Sequence, residues 1–87
     1  MKVSSINNCY LYTVKYENER IKTVVVLTSK TNKVYICDKY LRVLAEIEGV
    51  ESKEVSLTGS PKNLVLFTMN SEGRVHVWSL NKQVENI

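Results

Sequence analysis

The sequence predicts an all-β protein. Three observations carry this. The 87 residues include 13 Val, 5 Ile and 6 Thr but a single Ala, a balance that favours strands over helices. Apolar residues fall in strand-length runs bounded by Gly, Pro, Asn and Ser, which act as turn punctuation. Between these runs no helical period appears. At 10.0 kDa the chain has the material for one compact β domain over residues 1–87. Hydrophobic residues make up 44% and charged residues 24%, a globular rather than disordered composition.

The elements follow in order. From Cys9 to Glu17, Tyr10, Tyr12, Val14 and Tyr16 alternate with Leu11, Thr13 and Lys15, the alternating period of a half-buried strand. Thr23–Thr28 is a continuous β-branched run, which predicts a strand buried on both faces. Ser29–Lys33 is turn material, and Lys33–Asp38 is a second short strand. Leu41–Glu48 alternates as a strand, with a helical turn as the alternative. Lys53–Thr58 is a strand and Gly59–Asn63 a turn. Leu64–Phe67 repeats the continuous apolar pattern, Asn70–Gly73 turns the chain, and Arg74–Leu80 pairs back as a hairpin. Gln83–Ile87 is a candidate last strand.

This order repeats. Sliding the chain along itself until Val24 meets Val65 lays Val24–Val26 on Val65–Phe67 and Asn32–Ile36 on Gly73–Val77 without a gap. The same overlay places Val14 on Val55, Val34 on Val75 and Val43 on Val84. Two units result, residues 9–48 and 51–87. A four-strand unit about every 40–45 residues is the spacing of a propeller blade. One small antiparallel barrel or sandwich fits the same strand list.

The stretch from Ser60 to Leu80 resembles the WD-repeat β-propeller family. Ser60-Pro61-Lys62-Asn63 stands where the family has its Ser-Pro-Asp-Gly-like turn, Leu64–Thr68 matches the apolar strand, and Glu72-Gly73 stands where Asp-Gly is usual. Val75-His76-Val77-Trp78-Ser79 is similar to the closing Val-x-Val-Trp-Asp strand. The resemblance implies a structural role for Thr68, Glu72, Gly73 and Trp78. Of these, Thr68, Glu72 and Trp78 would join a buried hydrogen-bonded set. The family's Gly-His dipeptide is replaced by Gly49-Val50, and Ser79 replaces the Asp after Trp. In the first unit Cys37-Asp38 stands where Trp-Asp is expected, with Thr28 near the hydroxyl position. A closed propeller needs at least about four blades, so the resemblance implies completion by further blades, from copies, partners or a longer parent.

Chemistry has little purchase here. His76 is the single His, it alternates with Val75 and Val77, and no catalytic spacing surrounds it. Glycine-rich phosphate loops and metal-ligand spacings are absent from the sequence, and Cys9 and Cys37 stand far apart along it. No enzyme activity, cofactor or metal is expected. The leading expectation is a non-catalytic interaction or scaffold module whose partner is a protein or a further copy. The alternative is a small nucleic-acid binder. The net charge of +3 is concentrated in the first half, where Tyr10, Tyr12 and Tyr16 with Lys15 and Arg20 form a candidate interaction surface. No apolar run approaches the roughly 18 residues of a membrane-spanning helix. No signal-like start is visible, so an intracellular site in cytoplasm or nucleus is expected.

Overall fold

The computed structural model of the protein describes residues 5–15, 21–60 and 63–80. Among these, every regular element is a strand: β1 (Ile6–Lys15), β2 (Ile21–Ser29), β3 (Lys33–Cys37), β4 (Val43–Glu48), β5 (Glu54–Ser60), β6 (Asn63–Met69) and β7 (Val75–Ser79). They form two antiparallel meanders, a four-stranded sheet β1-β2-β3-β4 and a three-stranded sheet β5-β6-β7. Among the described residues no closed barrel forms. The candidate strand at Gln83–Ile87 lies outside the described residues, so the second sheet has three described strands rather than the expected four. Among the described residues no helix is long and apolar enough to cross a membrane.

Leu41–Glu48 resolves into a turn followed by a strand. Leu41 takes a φ of 63°, and pairing with β3 begins at Val43. β1 begins at Ile6, earlier than the alternation from Cys9 suggests, with a register irregularity between Ile6 and Asn8.

The repeat extends to the pairing register. Val25, Val26, Leu27 and Thr28 of β2 pair with Cys37, Ile36, Tyr35 and Val34 of β3. The overlay that lays Val24 on Val65 carries these onto Leu66, Phe67, Thr68 and Met69 of β6 against Trp78, Val77, His76 and Val75 of β7. Those are the observed pairs. β1 departs from the repeat. Tyr10 faces Val26 while Ser56 faces Phe67, so the connection from β1 to β2 is longer than that from β5 to β6.

The two sheets share one apolar core. Val14, Val24, Val26, Val34 and Ile36 of the first sheet are buried with Val55, Leu57, Leu64, Leu66 and Leu80 of the second unit. Burying an aliphatic side chain of this size contributes about 1.5–3 kcal/mol, so this layer holds the fold together. A hydrogen bond ties the sheets directly: the Tyr12 hydroxyl donates to the Val55 carbonyl at 3.1 Å.

The packed faces are not equivalent ones. In the first sheet the inward residues are Val24, Val26, Val34 and Ile36. Their counterparts in the repeat, Val65, Phe67, Val75 and Val77, point outward, because it is Leu64, Leu66 and Trp78 that meet the core. The sheets therefore stack head to tail, one face of the first unit against the opposite face of the second.

The burial expectation holds in one run and fails in the other. Val24–Leu27 is buried on both faces, with Val25, Leu27, Tyr35 and Cys37 forming a smaller second cluster on the outward side. Leu64–Phe67 is not. Leu64 and Leu66 are buried, whereas Val65 and Phe67 are only half-buried on the outward face.

The Thr28 hydroxyl is buried without a hydrogen-bond partner among the described residues. An unpaired buried hydroxyl costs about 1–3 kcal/mol, and Val preserves the shape. Thr28→Val is therefore expected to raise the melting temperature by several degrees, roughly 4–8 °C per kcal/mol for a domain of this size; an unchanged or lower value in a thermal melt refutes the unpaired state.

Two glycines differ in kind. A Cβ on Gly59 (φ +109°) would overlap the Asn63 carbonyl oxygen, while Gly73 (φ +84°) has open space around it. Gly59→Ala is expected to destabilise severely. Gly73→Asn is expected to cost only a few tenths of a kcal/mol, since Asn tolerates the left-handed region. Chemical denaturation of both variants checks the order.

Candidate functional site

Three turns share one design. Each opens on a short polar side chain that accepts N–H groups two and four residues ahead. Ser29 Oγ accepts from Thr31 (3.3 Å) and Lys33 (3.1 Å). Asp38 Oδ1 accepts from Tyr40 (2.9 Å) and Arg42 (3.0 Å). Asn70 Oδ1 accepts from Glu72 and Arg74, both at 3.0 Å. The residue just before the second donor is left-handed in each: Asn32 at 61°, Leu41 at 63° and Gly73 at 84°. The second donor itself is basic in all three. This is the Asx-type local bonding that lets Ser, Asp and Asn stand in for a backbone acceptor. The first and third turns are again counterparts in the repeat, Ser29 lying on Asn70.

These turns bear on the residues singled out for structure. Thr68 and Trp78 come together: the indole Nε1–H of Trp78 donates to Thr68 Oγ1 at 3.1 Å across the β6–β7 pair. Glu72 does not join them. It is exposed at the turn, where its own N–H is held by Asn70. Asn70, not singled out from sequence, organises this turn, and its signal was the short amide side chain opening the connection. Trp78 is half-buried and packs against the core. In the first sheet the register places Leu27, not Thr28, at the position of Thr68, and Thr28 points to the opposite face.

Of the candidate interaction surface, Tyr10 and Tyr12 are half-buried and pack against the core. Burial raises the pKa of both phenols, and the Glu54 carboxylate adds to it. Lys15 is exposed, and Tyr16 and Arg20 lie outside the described residues. His76 is exposed, its ring 6.2 Å from that of Trp78. Cys9 is exposed and Cys37 buried, both as free thiols, and burial pushes the Cys37 thiol up. Among the described residues no group of three or more His, Cys, Asp or Glu side chains could hold a metal.

What stands out instead is the outward face of the second sheet. Val75 and Val77 are 57% and 63% exposed, with half-buried Val65, Phe67 and Met69 beside them. The cross-strand partners from β5 on this face are Glu54, Ser56 and Thr58, so one carboxylate at its corner is the face's only described charge. A contiguous apolar face of this kind marks an interaction site more often than a solvated surface. No family model matches the chain, and no curated protein or solved structure matches it.

Asp38 supplies a pH dependence. Burial pushes its carboxyl up, but the N–H groups of Arg42 and Tyr40 and the Arg42 guanidinium, 2.6 Å away through Nε, outweigh this and hold it below its usual value. Its stabilisation is complete above the ordinary Asp value of about 3.9 and fades as pH falls through the lower folded-state value. Asp38→Asn keeps the Oδ1 acceptor, as Asn70 does in the related turn, and loses the charge. The melting temperature of the variant is expected to drop less than wild type between about pH 5 and pH 2; parallel profiles contradict this.

Proposed function

We propose that the chain is a non-catalytic protein-interaction module of two propeller-type blades, which completes an assembly with other chains or with further copies. One observation carries this reading. The outward face of the second sheet is the register counterpart of the buried inward face of the first, yet no described strand covers it. Val65, Phe67, Val75 and Val77 stand where Val24, Val26, Val34 and Ile36 are covered by a neighbouring sheet. Head-to-tail stacking does not close on itself after two units, so a third sheet has a face prepared for it.

The Trp78–Thr68 hydrogen bond supports the WD-repeat resemblance, since it joins two members of the set which that family buries. The free thiols of Cys9 and Cys37 fit a reducing, intracellular compartment. The nucleic-acid reading draws no support from Tyr10 and Tyr12, whose rings lie against the core instead of forming an open stacking platform.

Light scattering on the purified chain, alone and with proteins cross-linked to it in its own cells, tests the reading. Assembly above the 10.0 kDa monomer is expected. Val77→Lys is expected to weaken it at least about tenfold by placing a charge in an apolar contact. The same variant should leave folding stability within about 0.5 kcal/mol, as is usual for surface positions. A cooperatively folded monomer that no partner joins, or assembly indifferent to Val77→Lys, overturns it.

A further inference from the structure

We propose that the β3–β4 turn is a membrane-contact tip. It seats Tyr40 and Leu41 at the surface of an anionic bilayer, while Lys39 and Arg42 meet the charged headgroups. This goes beyond the interaction-module reading and uses the other sheet.

Three turns of this fold share one hydrogen-bonding plan, and two of them carry polar tips. The Ser29 turn places Thr31-Asn32 at the first donor and the left-handed residue, and the Asn70 turn places Glu72-Gly73 there. The Asp38 turn has Tyr40-Leu41 instead. Asn and Gly accept a left-handed φ readily, whereas Leu resists it. Stability alone therefore favours Asn or Gly at this place. Yet Leu41 is held at a φ of 63° with 47% of its surface in water, and Tyr40 beside it is 67% exposed. A strained, exposed apolar residue gains little within the fold and points to a contact made outside it. The tip is also rigid. Asp38 Oδ1 accepts the N–H groups of Tyr40 and Arg42, and the Leu41 N–H donates to the Asp38 carbonyl at 3.0 Å. Both bulky side chains are thus presented in one arrangement, within the unbroken described segment 21–60.

The charge around the tip selects the surface. The Lys39 ammonium lies 5.1 Å from the centre of the Tyr40 ring, and the Arg42 guanidinium carbon 5.4 Å from it. The Arg42 side chain is 74% exposed even while its Nε holds the Asp38 carboxylate, the one acid of the turn. Among the described residues of the first sheet the other acids, Glu46 and Glu48, lie toward its opposite end and are held by Lys33. The segment Lys15–Lys22, which joins β1 to β2 at the tip's end of the sheet, holds three cations against two acids. This end is therefore cationic and complements an anionic surface. Tyr and Leu beside Lys and Arg form an interfacial composition. The aromatic and aliphatic bodies settle at the acyl boundary, and the long basic side chains reach back to the headgroups. A single-stranded nucleic acid fits less well. A base stacking on Tyr40 would have to displace the cations from its ring, and Leu41 offers no stacking face.

Flotation of the full chain with vesicles of phosphatidylcholine containing about one-third phosphatidylserine, against pure phosphatidylcholine, tests this. Lipid is taken to roughly millimolar levels, because a contact this small is weaker than one acyl chain, which associates at about 10⁴ M⁻¹. Binding to the anionic vesicles is expected to be at least about fivefold tighter than to neutral ones, and to weaken with salt. Paramagnetic lipid in bicelles of the same composition should broaden the amide signals of residues 39–43 before any others. Tyr40→Thr with Leu41→Asn copies Thr31-Asn32 into the tip. This double variant should keep or raise the melting temperature and lose vesicle binding at least about tenfold. Lys39→Ser should weaken binding to anionic vesicles about fivefold and leave neutral vesicles unaffected; if the double variant does not fold, this substitution decides. Val77→Lys, which tests the module reading on the second sheet, should not weaken vesicle binding, so the two readings fail separately. The proposal is overturned by no binding to anionic vesicles, by equal binding to both kinds, by broadening centred elsewhere, or by a double variant that binds like wild type. A fluorescent single-stranded oligothymidine that anionic vesicles fail to displace from the tip overturns it as well.

Discussion

The structure depends on the apolar layer between the two meanders. Each sheet has an apolar face that needs covering, and each covers the other's. Val24, Val26, Val34 and Ile36 meet Val55, Leu57, Leu64 and Leu66, and the Tyr12–Val55 hydrogen bond fixes how the first strand lies on the second sheet. With this layer in place Tyr10 and Tyr12 become half-buried packing residues, and the mixed pattern of β6, buried inward and half-buried outward, follows.

The manner of stacking has a further consequence. Opposite faces packed together leave two non-equivalent outer faces, one at each end of the pair. At one end, Val25, Leu27, Tyr35 and Cys37 are already buried, and Lys33 with Glu46 and Glu48 forms a polar ion-pair cluster at the β3–β4 side. At the other end, Val75 and Val77 are exposed on a strand that pairs with β6 alone among the described residues.

The turns set the register on which this geometry rests. Ser29, Asp38 and Asn70 each capture two N–H groups, and Asn32, Leu41 and Gly73 each supply the left-handed residue. A turn that is rigid in this way allows one strand offset, and a slip of one residue would send every core side chain to the wrong face. Leu41 is the costly member, because a γ-branched side chain is held at positive φ. The Asp38 carboxylate and its Arg42 partner flank this residue.

The sequence by itself determined the strand class, the order of the described strands and the repeat that lays Val24 on Val65, because alternation and turn chemistry are local properties. Thr68 and Trp78, on neighbouring strands, share a hydrogen bond. The sequence did not reveal that Glu72 stands apart while Asn70 organises the turn, since a nearby carboxylate and amide look equally suited before the turn closes. Nor could it decide which face of each sheet is covered. Val24–Leu27 and Leu64–Phe67 read alike as apolar runs, yet the second has one side half-exposed. That difference belongs to the stacking of one sheet on another, a choice between faces that are both apolar, and only the tertiary structure makes it.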